Sequence, residues 1–175
     1  MKKILLALIL ILTVSLSTTL AATGDVNGFK GYKWGTDFET INKDKKLVLL
    51  EKIGELDYHA GGKDTVFDKN DNLEIVYAYT FYDNKLVGGK IFFYTPQSST
   101  DFFDAVEALN HRHGKPVLAS NGEYCYLLPT TIVSYKSTDI KAISLLSNDY
   151  IDGAIERSDR AKEQTKQNNY NRLFN

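Results

Sequence analysis

The chain has 175 residues, 21 Lys plus Arg against 22 Asp plus Glu, a net charge of -1 at pH 7, and 43% hydrophobic residues. A near-neutral, mildly acidic balance argues against nucleic-acid binding, which calls for a basic stripe. The single cysteine, Cys125, rules out an internal disulfide framework.

Lys2 and Lys3 precede an apolar run from Ile4 to Leu12, and small residues follow as far as Ala21-Ala22. That pattern predicts a secretory signal peptide cleaved after Ala22, with Ala21 nearly as suitable. The apolar run is short of the roughly 20 residues that span a bilayer. The expectation is an exported chain, periplasmic or secreted, with no stable membrane span after cleavage. Cys125 is far from the cleavage site, so no lipid attaches at a new N-terminal cysteine. The expected organisation is a signal peptide over 1–22, a single α+β domain over 23–153, and a polar helical or disordered tail over 154–175.

The exported part opens with Phe29-Lys30-Gly31-Tyr32-Lys33-Trp34-Gly35. Here Trp34 anchors the segment by burying a large ring, while Gly31 and Gly35 permit tight backbone geometry; a ligand-stacking Trp34 is the sharper alternative. Thr36 or Asp37 caps a short helix with Phe38 and Ile41 on its inner side. A charged turn leads to a strand over Leu47 to Ile53, and from Leu56 the chain reads as an antiparallel meander. Strands are expected at Leu56 to Ala60 and Thr65 to Asp68. Leu73 to Tyr82 follows with clean alternation, placing Leu73, Ile75, Tyr77, Tyr79 and Phe81 on one face. Leu86 to Tyr94 returns beside it, and its Gly88-Gly89 pair signals a bulge or a close backbone approach.

Pro96 reads as a break, and Ser99 or Thr100 as the cap of a helix running to His113, ended by Gly114 and Pro116. Further strands fit Glu123 to Leu128, Thr131 to Lys136 and Ile140 to Leu146, with Ser137-Thr138-Asp139 as a turn. The expected fold is α+β: an antiparallel sheet with two main helices in the order helix, strands, helix, strands, plus the polar C-terminal helix or tail. Thr36-Asp37-Phe38 and Thr100-Asp101-Phe102 make a faint internal echo, as readily a coincidence of capping chemistry as a duplication. Beyond about Ile155 the composition turns polar, ending in the apolar cluster Tyr170, Leu173 and Phe174, which is free to dock on the domain or on a partner.

Candidate binding residues are the aromatics Trp34, Tyr77, Tyr79 and Tyr82. His59, His111 and His113 are the metal candidates to weigh, but residues two apart on a helix point about 200° apart, and basic donors in a last turn also serve the helix dipole. No metal site and no cofactor are assigned. Asp68-Lys69-Asn70-Asp71-Asn72 has oxygen ligands at alternate positions, but Leu73 and Tyr79 stand where a calcium loop needs glycine and glutamate, so a hairpin turn is expected. Cys125, between Tyr124 and Tyr126, reads as a buried, inert thiol. Local hydrolase, zinc and phosphate-loop signatures are absent from the sequence.

The Phe29-x-Gly31-x-x-Trp34-Gly35 opening, together with the Lys85-Leu86 hairpin leading through a helix to His113-Gly114-Lys115-Pro116, resembles a loose group of small, largely uncharacterised exported bacterial proteins. In that group an aromatic stands where this chain has His113. The resemblance covers about 29–118, implies a small envelope domain of α+β type, and transfers no catalytic residue. The functional expectation is an exported, non-catalytic interaction module whose partner is an envelope protein or a cell-wall component. The alternatives are an inhibitor-like domain, an exported hydrolase using a histidine with Asp57 or Asp101, and a histidine-dependent metal-binding protein.

Overall fold

The computed structural model describes residues 26–138 and 140–174, with side chains through Lys166. The expected signal peptide, Asp139 of the expected turn, and the side chains of Tyr170, Leu173 and Phe174 lie outside what is described. The chain forms an α+β fold with a mostly antiparallel sheet and three helices among the described residues. In order these are β1 (Gly28–Phe29), β2 (Tyr32–Lys33), α1 (Phe38–Lys45), β3 (Leu47–Ile53), β4 (Leu56–Gly61), β5 (Val66–Phe67), β6 (Leu73–Tyr82), β7 (Lys85–Phe93), α2 (Pro96–His113), β8 (Val117–Leu118), β9 (Tyr124–Leu127), β10 (Thr131–Lys136), β11 (Lys141–Ser147) and α3 (Asn148–Phe174). The expected helix, strands, helix, strands order is not matched. A strand pair precedes α1, so that helix lies within the strand series, because Lys30 and Gly31 both take positive φ and close a two-residue hairpin.

The large sheet runs β3-β4-β6-β7-β11-β10-β9-β8, with β5 pairing β6. It reads as two meanders, each introduced by a helix, joined where the last strand of each half meets the other. At that seam β7 and β11 pair antiparallel from Phe93 opposite Lys141 to Gly88 opposite Leu146. The faint sequence echo does not mark equivalent points. Thr36-Asp37-Phe38 sits at the start of α1, whereas Thr100-Asp101-Phe102 lies inside α2.

Correcting the expected cap at Ser99 or Thr100, α2 starts one turn earlier. Thr95 accepts from the Ser98 N–H at 3.1 Å and Ser98 reciprocates toward the Thr95 N–H at 3.0 Å, a full capping box. Pro96 occupies the first helical position, where a missing N–H costs nothing, so the proline opens the helix rather than breaking the chain. Likewise α3 begins at Asn148, inside the segment read as domain; its Nδ2 donates to the carbonyls of Leu128 and Pro129 at 2.8 and 3.0 Å.

One face of the sheet, the inner face, carries the core. Tyr79, Phe81, Val133, Tyr126, Ile143 and Leu145 meet Ile41 of α1 and Phe102 and Leu109 of α2 there. Phe29 from the N-terminal hairpin lies on the same face, edge-on to Tyr79 with ring centroids 5.2 Å apart. Its ring fills the space over Gly89, where a Cβ would come within 2.3 Å of it. The glycine pair thus marks a close approach, and a bulge also falls beside it, between Thr80 and Phe81 of the facing strand.

An alanine in an open strand ordinarily stabilises by about 0.5–1 kcal/mol over glycine, but overpacking a filled core costs about 1–3 kcal/mol. The clash wins, so Gly89→Ala is expected to lower stability to urea. Phe29→Ala alone costs about 3–5 kcal/mol. The double variant is expected to lose less than the sum, because the added methyl then has room; strict additivity in the double-mutant cycle would refute the contact.

Candidate functional site

The four sequence candidates do not converge. Trp34 packs against the core, and its Nε1–H donates to Thr131 Oγ1 at 2.8 Å, beneath which Thr131 is fully buried. Tyr79 is also fully buried, and its hydroxyl donates to Asp64. That carboxylate accepts from Lys45 Nζ at 3.2 Å, and Lys45 lies 3.4 Å from Asp44, which holds the Tyr32 hydroxyl at 2.5 Å. The chain of contacts ties the N-terminal hairpin, the end of α1 and β6 together, and burial first, then the Asp64 hydrogen bond, raises the Tyr79 pKa. Tyr79 therefore has no ring surface to offer a ligand. Tyr77 lies on the inner face beside a cavity of about 210 Å³ between the N-terminal hairpin and α2, with Lys30 Nζ 3.9 Å from its ring centre. Tyr82 alone points to the other, outer face, where it packs on Tyr150 of α3 with ring centroids 5.3 Å apart.

The histidines are likewise separate. His59 sits on the inner face between Phe38 and Phe81, 4.8 and 5.5 Å away between ring centroids. Nearby Asp57 is engaged by Lys52 at 2.9 Å. Because α2 stays helical through His113, His111 and His113 diverge: His111 is exposed and His113 leans on Tyr126, 6.0 Å away. Asp101 is exposed on α2, and neither the cavity beside Tyr77 nor the one on the outer face is lined by a histidine. Among the described residues no group of three or more His, Cys, Asp or Glu side chains could hold a metal ion. In the 68–72 turn the Asp68 carboxylate accepts the N–H groups of Asn70 and Asn72 at 2.8 and 2.9 Å, so its oxygens organise their own loop.

The outer face is where the two halves differ. Cross-strand register sets one continuous row of mostly small side chains: Val48, Ala60, Ala78, Lys90, Ser144, Ser134, Cys125 and Val117, from β3 to β8. The neighbouring row runs Tyr58, Thr80, Gly88, Leu146, Ile132 and Leu127. A cavity of about 300 Å³ spans these rows, from Leu56 and Tyr58 across to Cys125, with Ile151 of α3 on its flank. Burial, with the Glu123 charge second, pushes the Cys125 thiol up, which disfavours the thiolate.

Over the first half, α3 supplies the cover. Tyr150 packs at a tilt against Tyr82, Ile151 lines the same cavity as Leu56 and Tyr58, and Arg157 lies 4.3 Å over the Tyr82 ring while pairing with Glu55 at 3.2 Å. Among the described residues the second half carries less cover: Leu127 is 69% exposed, with Ile132 and Cys125 half-buried beside it, while the two sheet edges, Val48 opposite Ala60 and Val117 opposite Cys125, are alike at 61% and 60%. Sequence reasoning missed this surface. Its only local trace is the alternation Ile132, Ser134 and Ser144, Leu146, and alternation does not say which strands stand side by side. Among the described residues no helix is long and apolar enough to cross a membrane. No known protein-family model, curated protein or solved structure matches the chain.

Two stability measurements follow. Tyr79→Phe strands an oxygen of the nearly buried Asp64 carboxylate and is expected to cost about 1–3 kcal/mol in chemical denaturation. Burial holds His59 and His113 below the ordinary histidine pKa, so the unfolded chain binds protons first as pH falls below about 6.5. Their contribution is complete above that pH and is lost on acidification through the depressed folded values. The melting temperature should drop between pH 7.5 and 5, and His59→Phe should shrink that drop; an unchanged drop would refute the assignment.

Proposed function

We propose that this chain is an exported, non-catalytic interaction module, and that its binding surface is the uncovered half of the outer sheet face. The observation that carries the reading is the unequal cover of one continuous surface. Beside Tyr150 and Ile151 of α3, Ala78 and Thr80 on β6 are buried, whereas Ser134 and Ile132 at the matching place on β10 are half-buried and Leu127 on β9 is exposed. Exposed apolar surface next to a groove is a common mark of a protein partner. The floor of small side chains leaves room for a helix backbone to approach closely, and α3 displays the kind of element that fits, a helix presenting one aromatic and one aliphatic side chain. The signal sequence supports a partner in the cell envelope or outside the cell. Reaction chemistry finds less support: the Cys125 thiol is held protonated, and the histidines lie away from the groove.

The test is cross-linking capture from native envelope extract with the tagged chain from Thr23, beside Leu127→Asp and Val117→Asp variants. Both positions are exposed, so each substitution should change stability by only about 0.5 kcal/mol or less. The expected result is a discrete protein retained by the wild type and reduced at least about tenfold by either variant, equivalent to roughly 1.4 kcal/mol. Equal retention by all three, or none by any, would overturn the reading.

A further inference from the structure

We propose that the chain has a second binding site, on the inner face: the cavity between the N-terminal hairpin and α2 takes a small carboxylic acid with an apolar body, and Lys30 holds its carboxylate. The site is independent of the outer face. The cavity encloses about 210 Å³ and reaches the surface at Lys30, which is exposed. Ile91, Phe93, Val133 and Ile143 of the sheet form one wall and α2 another; among the described residues the only polar side chains in the lining are those of Lys30 and Tyr77. On the inner side of α2, Phe102 and Leu109 are buried and Ala105 stands between them, so the gap lies where the helix carries its smallest side chain.

Volume and lining decide the body of the ligand. Native interiors hold few voids larger than a water molecule, so a space of this size between packed elements calls for an occupant. Water fits poorly. A buried water needs about two to four polar partners, and the two polar side chains here lie together at one end, with Lys30 Nζ 3.9 Å from the Tyr77 ring centre. An apolar cavity of about 150 Å³ stays dry and takes up benzene. The 210 Å³ available here admits one ring with a short side chain, or a medium-length acyl chain. Sites for drug-sized ligands run to roughly 300–1,000 Å³, so larger molecules are excluded.

The Lys30 end decides the charge. Lys30 takes the first turn position of the β1–β2 hairpin at φ 51°, where Asn, Asp or Gly is favoured. A lysine in the left-handed region is strained, and strain of this kind collects at ligand clamps. Among the described residues its ammonium forms no ion pair with a carboxylate. Of the acids whose charge reaches Tyr77, Asp64 is engaged by Lys45 and Tyr79, and Asp101 is exposed one helical turn before Ala105. One cation at the mouth of an apolar space matches one carboxylate on an apolar body.

The test is calorimetric titration of the tagged chain from Thr23 with octanoate and 3-phenylpropanoate, beside octan-1-ol and octylamine as head-group controls. One molecule of either acid should bind per chain, at least about fivefold tighter than the alcohol or the amine. Lys30→Gln, at an exposed position, should remove that advantage without changing octan-1-ol binding, and Asp101→Asn should tighten both acids. Ala105→Leu fills the gap and should abolish binding of all four compounds, with unchanged circular dichroism and an equal or higher melting temperature. Nuclear Overhauser contacts from octanoate to the methyl groups of Ala105 and Ile91 in the unaltered chain place the ligand without any variant. No saturable binding of either acid, an alcohol or amine bound as tightly, or contacts that place octanoate beside Leu56 on the outer face would overturn the proposal. Failure here leaves the capture result with Leu127→Asp standing, so the two sites are judged separately.

Discussion

The antiparallel seam between β7 and β11 is the constraint on which the rest depends. It joins two meanders into one sheet, so that a single inner face is shared by α1, α2 and the N-terminal hairpin, and a single outer face is left for α3 to cover in part. The seam is tight. A Cβ at Gly88 would stand 2.8 Å from the Leu145 carbonyl oxygen on the facing strand, and one at Gly89 would enter the Phe29 ring. Two glycines in mid-strand cost conformational entropy. Here the close approach they permit lets a ring from the start of the domain pack over its centre, an exchange of local propensity for long-range packing.

The same trade explains the aromatic side chains. Trp34, Tyr79, Tyr82 and Tyr126 each combine a large apolar body with a polar tip, and burial is stable only when that tip finds a partner. Trp34 finds Thr131, Tyr79 finds Asp64, and Tyr126 finds Asn110 at 3.0 Å, where burial pushes its pKa up to about 12. Tyr82 instead uses its ring face against Tyr150 and Arg157. These residues tie elements distant in sequence to one another. An aromatic-rich composition therefore reflects scaffold here, and the surface proposed to bind is floored mainly by small and aliphatic side chains.

Unequal cover of the outer face links fold to function. The sheet order is nearly palindromic about the seam, yet there is one α3, and it crosses one half. In the first half Thr80 and Ala78 on β6 are buried, whereas in the second Ile132 and Ser134 on β10 are half-buried and Leu127 beside them stands open. Exposed apolar side chains on neighbouring strands cost solvation that a partner relieves.

Strand and helix identity were largely legible because they follow local rules. Alternation placed β6 at Leu73–Tyr82 and β10 at Thr131–Lys136, and helical spacing with a terminal glycine placed the end of α2 at His113. The failures were also local in cause. The unfavoured dipeptide Lys30-Gly31 carries no hairpin signal, and Pro96 reads as a break because its cap, Thr95, lies on the far side of it. By itself, then, the sequence determined the α+β class, the periodicity of each long element and the polar character of the segment after Ile155. Only the tertiary structure decided that β7 pairs β11, that Tyr79 is interior while Tyr82 meets α3, and that Ser144, Ser134 and Cys125 form one floor. The reason is that side-chain period is fixed by backbone geometry within a few residues, whereas strand order, register and cover depend on contacts between residues far apart in the chain.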